Sequence, residues 1–165
     1  MKQTSKQILT MIALMLPLSG LDLAMVPQAQ AQSIVSYVLT DPLTGLAIEG
    51  MDPVSYFTEP APLMGKPEFE YSWMGAPWLF ASEANRDVFE RNPEIYAPQY
   101  GGHGAMSMSR GFVSDADPTT FVVYKQRLYF FYSPSNREAF NLAPDAAALR
   151  GQEHWQVLSK TLSTR

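Results

Sequence analysis

The sequence predicts a small single α+β domain: two β-hairpins with short helices packed on them, and a C-terminal helix. Three observations predict it. Apolar and polar residues alternate over 68–73 before a turn and an apolar return at 78–80, and two further apolar runs, 121–124 and 128–132, flank a second turn. Runs with helical spacing follow each hairpin. Hairpins and helices succeed one another with no linker, repeat or low-complexity block between them, the order expected of an α+β domain.

Each element has its own warrant. Phe69, Tyr71 and Trp73 alternate with Glu68, Glu70 and Ser72, the pattern of a half-buried strand. Gly75 and Pro77 mark a turn, and Trp78-Leu79-Phe80 returns as the partner strand. Ser82 then offers a hydroxyl to cap a short helix, with Glu83 at its positive end and Ala84, Val88 and Phe89 as the inward stripe. Asn92-Pro93 ends that helix. The second hairpin reads Phe121 to Tyr124, a turn at Lys125-Gln126, and Leu128 to Tyr132. Ser135 to Phe140 is expected as another short helix. Asp145 to Lys160 is expected as a longer one, with Leu149, Trp155 and Leu158 inward. Pro60 to Pro67 reads as a loop, and Ser33 to Thr40 as an initial strand or a loose arm.

The N-terminus carries an export signature. Lys2 and Lys6 precede an apolar run from Ile8 to Leu18, and Ala29-Gln30-Ala31 is a small-x-small cleavage motif. Pro17, Gly20 and Asp22 interrupt the run before it reaches the ~20 apolar residues of a membrane anchor. The expectation is a cleaved Sec-type signal over 1–31, an N-terminal arm over 32–45 and the folded domain over 46–165. That places the protein in the periplasm or outside the cell, with no stable membrane anchor after cleavage. Removing 31 of 165 residues leaves 134, enough for one domain with a proper core.

Composition narrows the function classes. All 20 aromatic residues lie after the cleavage motif, and the remaining chain has 10 Lys+Arg against 15 Asp+Glu, so it carries no basic nucleic-acid footprint. The chain has no cysteine, so thiolate chemistry is excluded and stability rests on packing.

Three blocks carry a resemblance: Gly50 to Phe57, Trp78 to Phe89, and Asn92 to Gly102. Together they resemble the YHS domain, in the form found in exported bacterial proteins in which the module continues through a second hairpin to a C-terminal tryptophan. Here that stretch runs from about Leu46 to Trp155. The resemblance implies that metal-handling members carry cysteines at positions that are Ser55, Ala81 and Asn85 in this chain. The exported relatives usually have another cysteine where this chain has His103-Gly104. None of these residues is a thiolate, so the family's metal site is not expected to transfer. The pattern that remains suits fold-specifying roles, with Tyr56 and Phe57 in the core and Arg86 holding a loop.

Tyr100 to Gly111 carries the one soft-ligand cluster, His103, Met106 and Met108. Imidazole and thioethers suit Cu(I), and an extended Ala105 to Ser109 would place both methionines on one side. The plainer reading is a Gly-Gly turn and a buried strand, since methionine fills irregular core gaps. Ser107 and Ser109 near His103 have no G-x-S-x-G elbow, and Asp115 and Asp117 lack EF-hand spacing. Glu68 and Glu70 read as a solvated face, and His154 as a surface or groove residue.

Three functions follow. The first is a non-catalytic exported domain, with no cofactor, that binds a periplasmic protein or small ligand through an aromatic groove of Tyr96, Tyr100, His103, Phe112 and Trp155. The second is a periplasmic copper-binding protein using His103, Met106 and Met108. The third is an enzyme with His103 as general base.

Overall fold

A computed structural model describes residues 35–164; the signal expected over 1–31 lies outside the described residues. Among the described residues, two two-stranded antiparallel sheets and six helices form an α+β domain. In chain order these are α1 (Ser55–Thr58), β1 (Lys66–Trp73), β2 (Ala76–Phe80), α2 (Glu83–Arg91), α3 (Pro93–Tyr96), α4 (Ala105–Met108), β3 (Asp117–Tyr124), β4 (Arg127–Phe131), α5 (Pro134–Leu142) and α6 (Pro144–Leu158). Short 3-10 turns cover Ile48–Gly50, Gln99–Gly102 and Ser159–Thr161.

The hairpins form where the strand patterns and turn signals placed them. Phe69, Tyr71 and Trp73 are half-buried between exposed Glu68, Glu70 and Ser72. Their partner β2 buries Trp78, Leu79 and Phe80 and covers the core side of α2. Ser82 caps α2 by accepting from the Asn85 amide at 3.2 Å. Phe89 is fully buried, but Ala84 is exposed, so the inward stripe of α2 is narrower than the spacing implied. Leu149 is 63% exposed; α6 instead turns Ala147, Gly151 and Trp155 inward. Gly151 can face inward because the Tyr100 ring packs where a side chain would stand.

The structure reveals an internal repeat, contrary to the expectation of none. Adding 51 to a residue number in the first half gives its counterpart in the second, without a gap. The bulged register Lys66↔Phe80 then Glu70↔Leu79 recurs as Asp117↔Phe131 then Phe121↔Phe130. Ser133 caps α5 as Ser82 caps α2. Asn92 and Ala143, before α3 and α6, share φ/ψ of −146/55° and −153/65°, and each is followed by proline. The left-handed residues Glu49-Gly50 and Met74-Gly75 recur as Tyr100-Gly101 and Lys125-Gln126.

Packing repeats too. Trp78 and Phe80 lie 5.3 and 5.1 Å from Phe89, and their counterparts Tyr129 and Phe131 lie 5.1 and 5.2 Å from Phe140. Two aromatic clusters result, one centred on Phe89 and one on Phe140. The repeat is faint in sequence because few positions besides Pro67/Pro118, Phe80/Phe131, Ser82/Ser133, Asn85/Asn136, Arg86/Arg137, Phe89/Phe140 and Pro93/Pro144 are shared. Aromatic packing tolerates Trp-for-Tyr exchange as long as volume and shape are kept.

The N-terminal segment is anchored rather than loose. The Tyr37 amide donates to the Ser163 carbonyl at 2.7 Å and the Leu39 amide to the Gly101 carbonyl at 2.8 Å. Val38 is buried in the first cluster. The alternation there is too weak for a full strand, and only isolated bridges form.

Candidate functional site

The positions that the resemblance tied to metal meet at one buried carboxylate. Asp52 is fully buried and accepts from the Val54 amide at 2.8 Å, the Ala81 amide at 2.9 Å and Asn85 Nδ2 at 2.6 Å. Ser55 Oγ donates to the Asp52 carbonyl at 2.6 Å and accepts from the Leu63 amide at 2.9 Å. N–H donors therefore converge on this place, and the oxygens that face it are already engaged. These residues do not fit a thiolate-type metal centre; they tie the loop before α1 to the start of α2. Arg86 does not hold that loop. Its guanidinium bonds Glu83 and Asp87 of its own helix.

His103 is the second buried polar group. It is 3% exposed, and its Nε2 lies 3.0 Å from the Ser36 carbonyl. A carbonyl only accepts, so Nε2 carries the proton and Nδ1 is a bare lone pair, with no partner among the described residues. Burial lowers the pKa of this ring and keeps it neutral. The strand expected over Ala105 to Ser109 is instead the helical turn α4. Residues two apart on a helix point about 200° apart, so Met106 and Met108 do not share a side. Met108 is fully buried, and the Met106 sulfur lies 3.9 Å from Ser109 Oγ. Among the described residues, no group of three or more His, Cys, Asp or Glu is placed to hold a metal ion.

The open feature is elsewhere. A groove of about 570 Å³ runs between the turns of the two hairpins, over the segment from Ala97 to Gly101. Tyr37, Trp73, Trp78, Tyr100 and Trp155 form its aromatic floor. Gln99, Gln126, Gln152, Arg127 and Glu94 bring polar groups to it. A second crevice of about 260 Å³ adjoins it and shares Tyr100, Lys125, Arg127 and Gln152. Tyr100 and Trp155 line the groove, although both are largely buried. His103 lies behind Trp155, with ring centroids 6.3 Å apart. Tyr96 packs on Phe57, and Phe112 is exposed; neither lines the groove.

Backbone strain concentrates at this groove. Among the described residues, six non-glycine residues have positive φ, and four of them, Met74, Tyr100, Lys125 and Gln126, line it. A left-handed conformation costs an L-residue about 1–2 kcal/mol. Hairpin turns need it for their twist and usually employ glycine or asparagine. Here the second turn uses Lys125 and Gln126, which aims two long polar side chains at the groove. Tyr100 is held so that its hydroxyl donates to the Ala148 carbonyl at 2.9 Å. Burial raises the pKa of that phenol and keeps it protonated as a donor.

Residues 54–100 match the family model of the YHS domain. This stretch carries a YHS domain. The match spans the first repeat from α1 through α3 and stops at Tyr100, so the second, structurally equivalent half lies outside it. No curated protein and no solved structure matches the chain. No helix among the described residues is long and apolar enough to cross a membrane.

The groove was only partly legible in the sequence. Lys125 and Gln126 read there as an ordinary turn, and Trp73 as a strand residue. The missed signal was the absence of glycine and asparagine from a two-residue hairpin turn.

Proposed function

We propose that this protein is a non-catalytic YHS-type binding module, exported by its N-terminal signal, that takes a small polar ligand or a partner's side chain in the groove between its hairpin turns. The observation that carries this reading is the concentration of left-handed non-glycine residues at the groove, because strain persists where the surrounding structure is built to hold it. Three glutamines, an arginine and a glutamate around an aromatic floor give the mix of apolar area and convergent polar groups that ligand sites use. Against catalysis by His103 stands its burial, with one ring nitrogen engaged by Ser36 and the other enclosed. Export rests on Lys2, Lys6, the Ile8 to Leu18 run and Ala29-Gln30-Ala31.

The test is an NMR titration of the chain lacking residues 1–31 with a fragment set of amines, carboxylates and polyols. The expected result is that at least one class shifts the Trp73 and Trp155 indole N–H signals together with the Gly101, Lys125 and Gln126 amides. Shifts confined to the His103–Phe112 segment would move the site away from the groove and sink the proposal.

A further inference from the structure

The two halves of the repeat build the same crevice, and one of them holds a cation of its own. In the second half, Lys125 Nζ lies 2.6 Å from Asp145 Oδ1 and 5.3 Å from the centroid of the Tyr124 ring. The ammonium thus sits between a carboxylate from the first turn of α6 and the aromatic residue that ends β3. The Lys125–Asp145 contact holds the pKa of Asp145 down and that of Lys125 up.

Shifted back by 51, these three residues are Met74, Glu94 and Trp73. Trp73 ends β1, and Glu94 lies in the first turn of α3, as Asp145 does in α6. All three line the larger groove. Methionine stands where the second half has lysine, so the first half has the ring and the carboxylate but no cation of its own. Among the described residues, none of the ion pairs involves Glu94. Arg127, the other cation of the groove, is turned to Gln99 Oε1 at 3.1 Å.

We infer that Trp73 and Glu94 form a seat for an alkylammonium group of the ligand, the counterpart of the seat that Lys125 fills in the second half. This rests on the groove being the binding site. The ligand class is a primary amine on a flexible chain, such as a polyamine or a lysine side chain. Glu94 supplies the charge, the Trp73 face adds cation–π attraction, and Met74 offers apolar contact to the methylene chain.

The experiment uses cadaverine as the probe, with glutarate and 1,5-pentanediol as the anionic and neutral controls of similar length. The Trp73 indole N–H is followed by NMR at pH 7 and low salt. Cadaverine is expected to shift this signal, Glu94→Gln to weaken binding by about two- to fivefold, and high salt to weaken it further. Met74→Lys is expected to abolish binding by filling the seat from within. That variant is compatible with the backbone, because Met74 and Lys125 have φ of 50° and 48°. The inference is overturned if cadaverine binding survives both substitutions, or if glutarate or pentanediol shifts the groove and cadaverine does not. In the latter case the groove remains a binding site of another specificity. If no probe of any charge moves a groove signal, both readings fail together. Should Met74→Lys fold poorly, Glu94→Gln decides alone.

Discussion

Asn85 Nδ2 donates to the buried carboxylate of Asp52 across 2.6 Å, linking the loop before α1 to helix α2. The Ala81 amide reaches the same oxygen at 2.9 Å, so one carboxylate organises the place where metal-handling relatives are expected to gather cysteines. Its role here is structural, and it sets the first prediction. Asp52→Ala strands the amides of Val54 and Ala81 and the side chain of Asn85, at about 1–3 kcal/mol per buried unsatisfied group. We expect a loss of at least about 3 kcal/mol in chemical denaturation. Asp52→Asn retains an acceptor but turns a donor toward other donors, and is expected to fall between. A loss under about 1 kcal/mol for Asp52→Ala would show that the linkage is dispensable.

The repeat predicts matched core effects. Phe89 and Phe140 are both fully buried and packed by equivalent rings. Phe89→Ala and Phe140→Ala are each expected to cost about 3–5 kcal/mol, as is Trp78→Ala. Melting curves of the three variants check this. A second-half variant that melts like wild type would mean that the Phe140 cluster is not a core of its own.

Gly101 is required for a different reason. A side chain there would run into the Tyr37 carbonyl, and its φ is +64°. Gly45 has a similar φ of +74° with nothing within 4 Å of an added carbon. Gly45→Ala therefore isolates the conformational cost, about 1 kcal/mol. Gly101→Ala adds the collision and should exceed that by a clear margin in urea unfolding. Equal losses would show that the N-terminal segment yields without cost.

His103 predicts an acid-sensitive fold. Its folded pKa lies below the usual 6.5 because burial disfavours the charged ring. The unfolded chain therefore binds the proton first as pH falls, and stability declines from about pH 6.5 downward until the folded pKa is passed, by at most about 1.4 kcal/mol per pH unit. His103→Gln keeps an N–H donor for Ser36 and removes the titration. The difference in melting temperature between wild type and this variant should narrow as pH drops from 7 to 5. A constant difference would exclude His103 as the source.

Copper chemistry makes a separate check. With Met106 and Met108 on different sides of α4, a Cu(I) titration against a competing chelator should show no one-to-one binding that both His103→Ala and Met106→Ala abolish. Tight binding lost in both would restore the soft-metal reading.

Much of the fold was legible because it depends on short-range pattern. The alternation around Trp73 and Trp78 set the first hairpin, Ser82 and Pro93 bracketed α2, and Lys125-Gln126 marked the second turn. The absence of cysteine settled that thiolate chemistry plays no part, since that needs only the residue type. Tertiary structure decided the rest. Whether 105–109 was strand or helix depended on what packs over it, because five apolar and small residues fit either period. The burial of Tyr100, His103 and Trp155 depended on the N-terminal segment closing over them through Ser36, Tyr37 and Leu39. The repeat was hidden because its halves share shape more than residues, and only the common bulge, caps and left-handed turns expose it. From that equivalence alone comes the pairing of Glu94 with Trp73: sequence supplies the two groups twenty-one residues apart, and folding sets them on one groove.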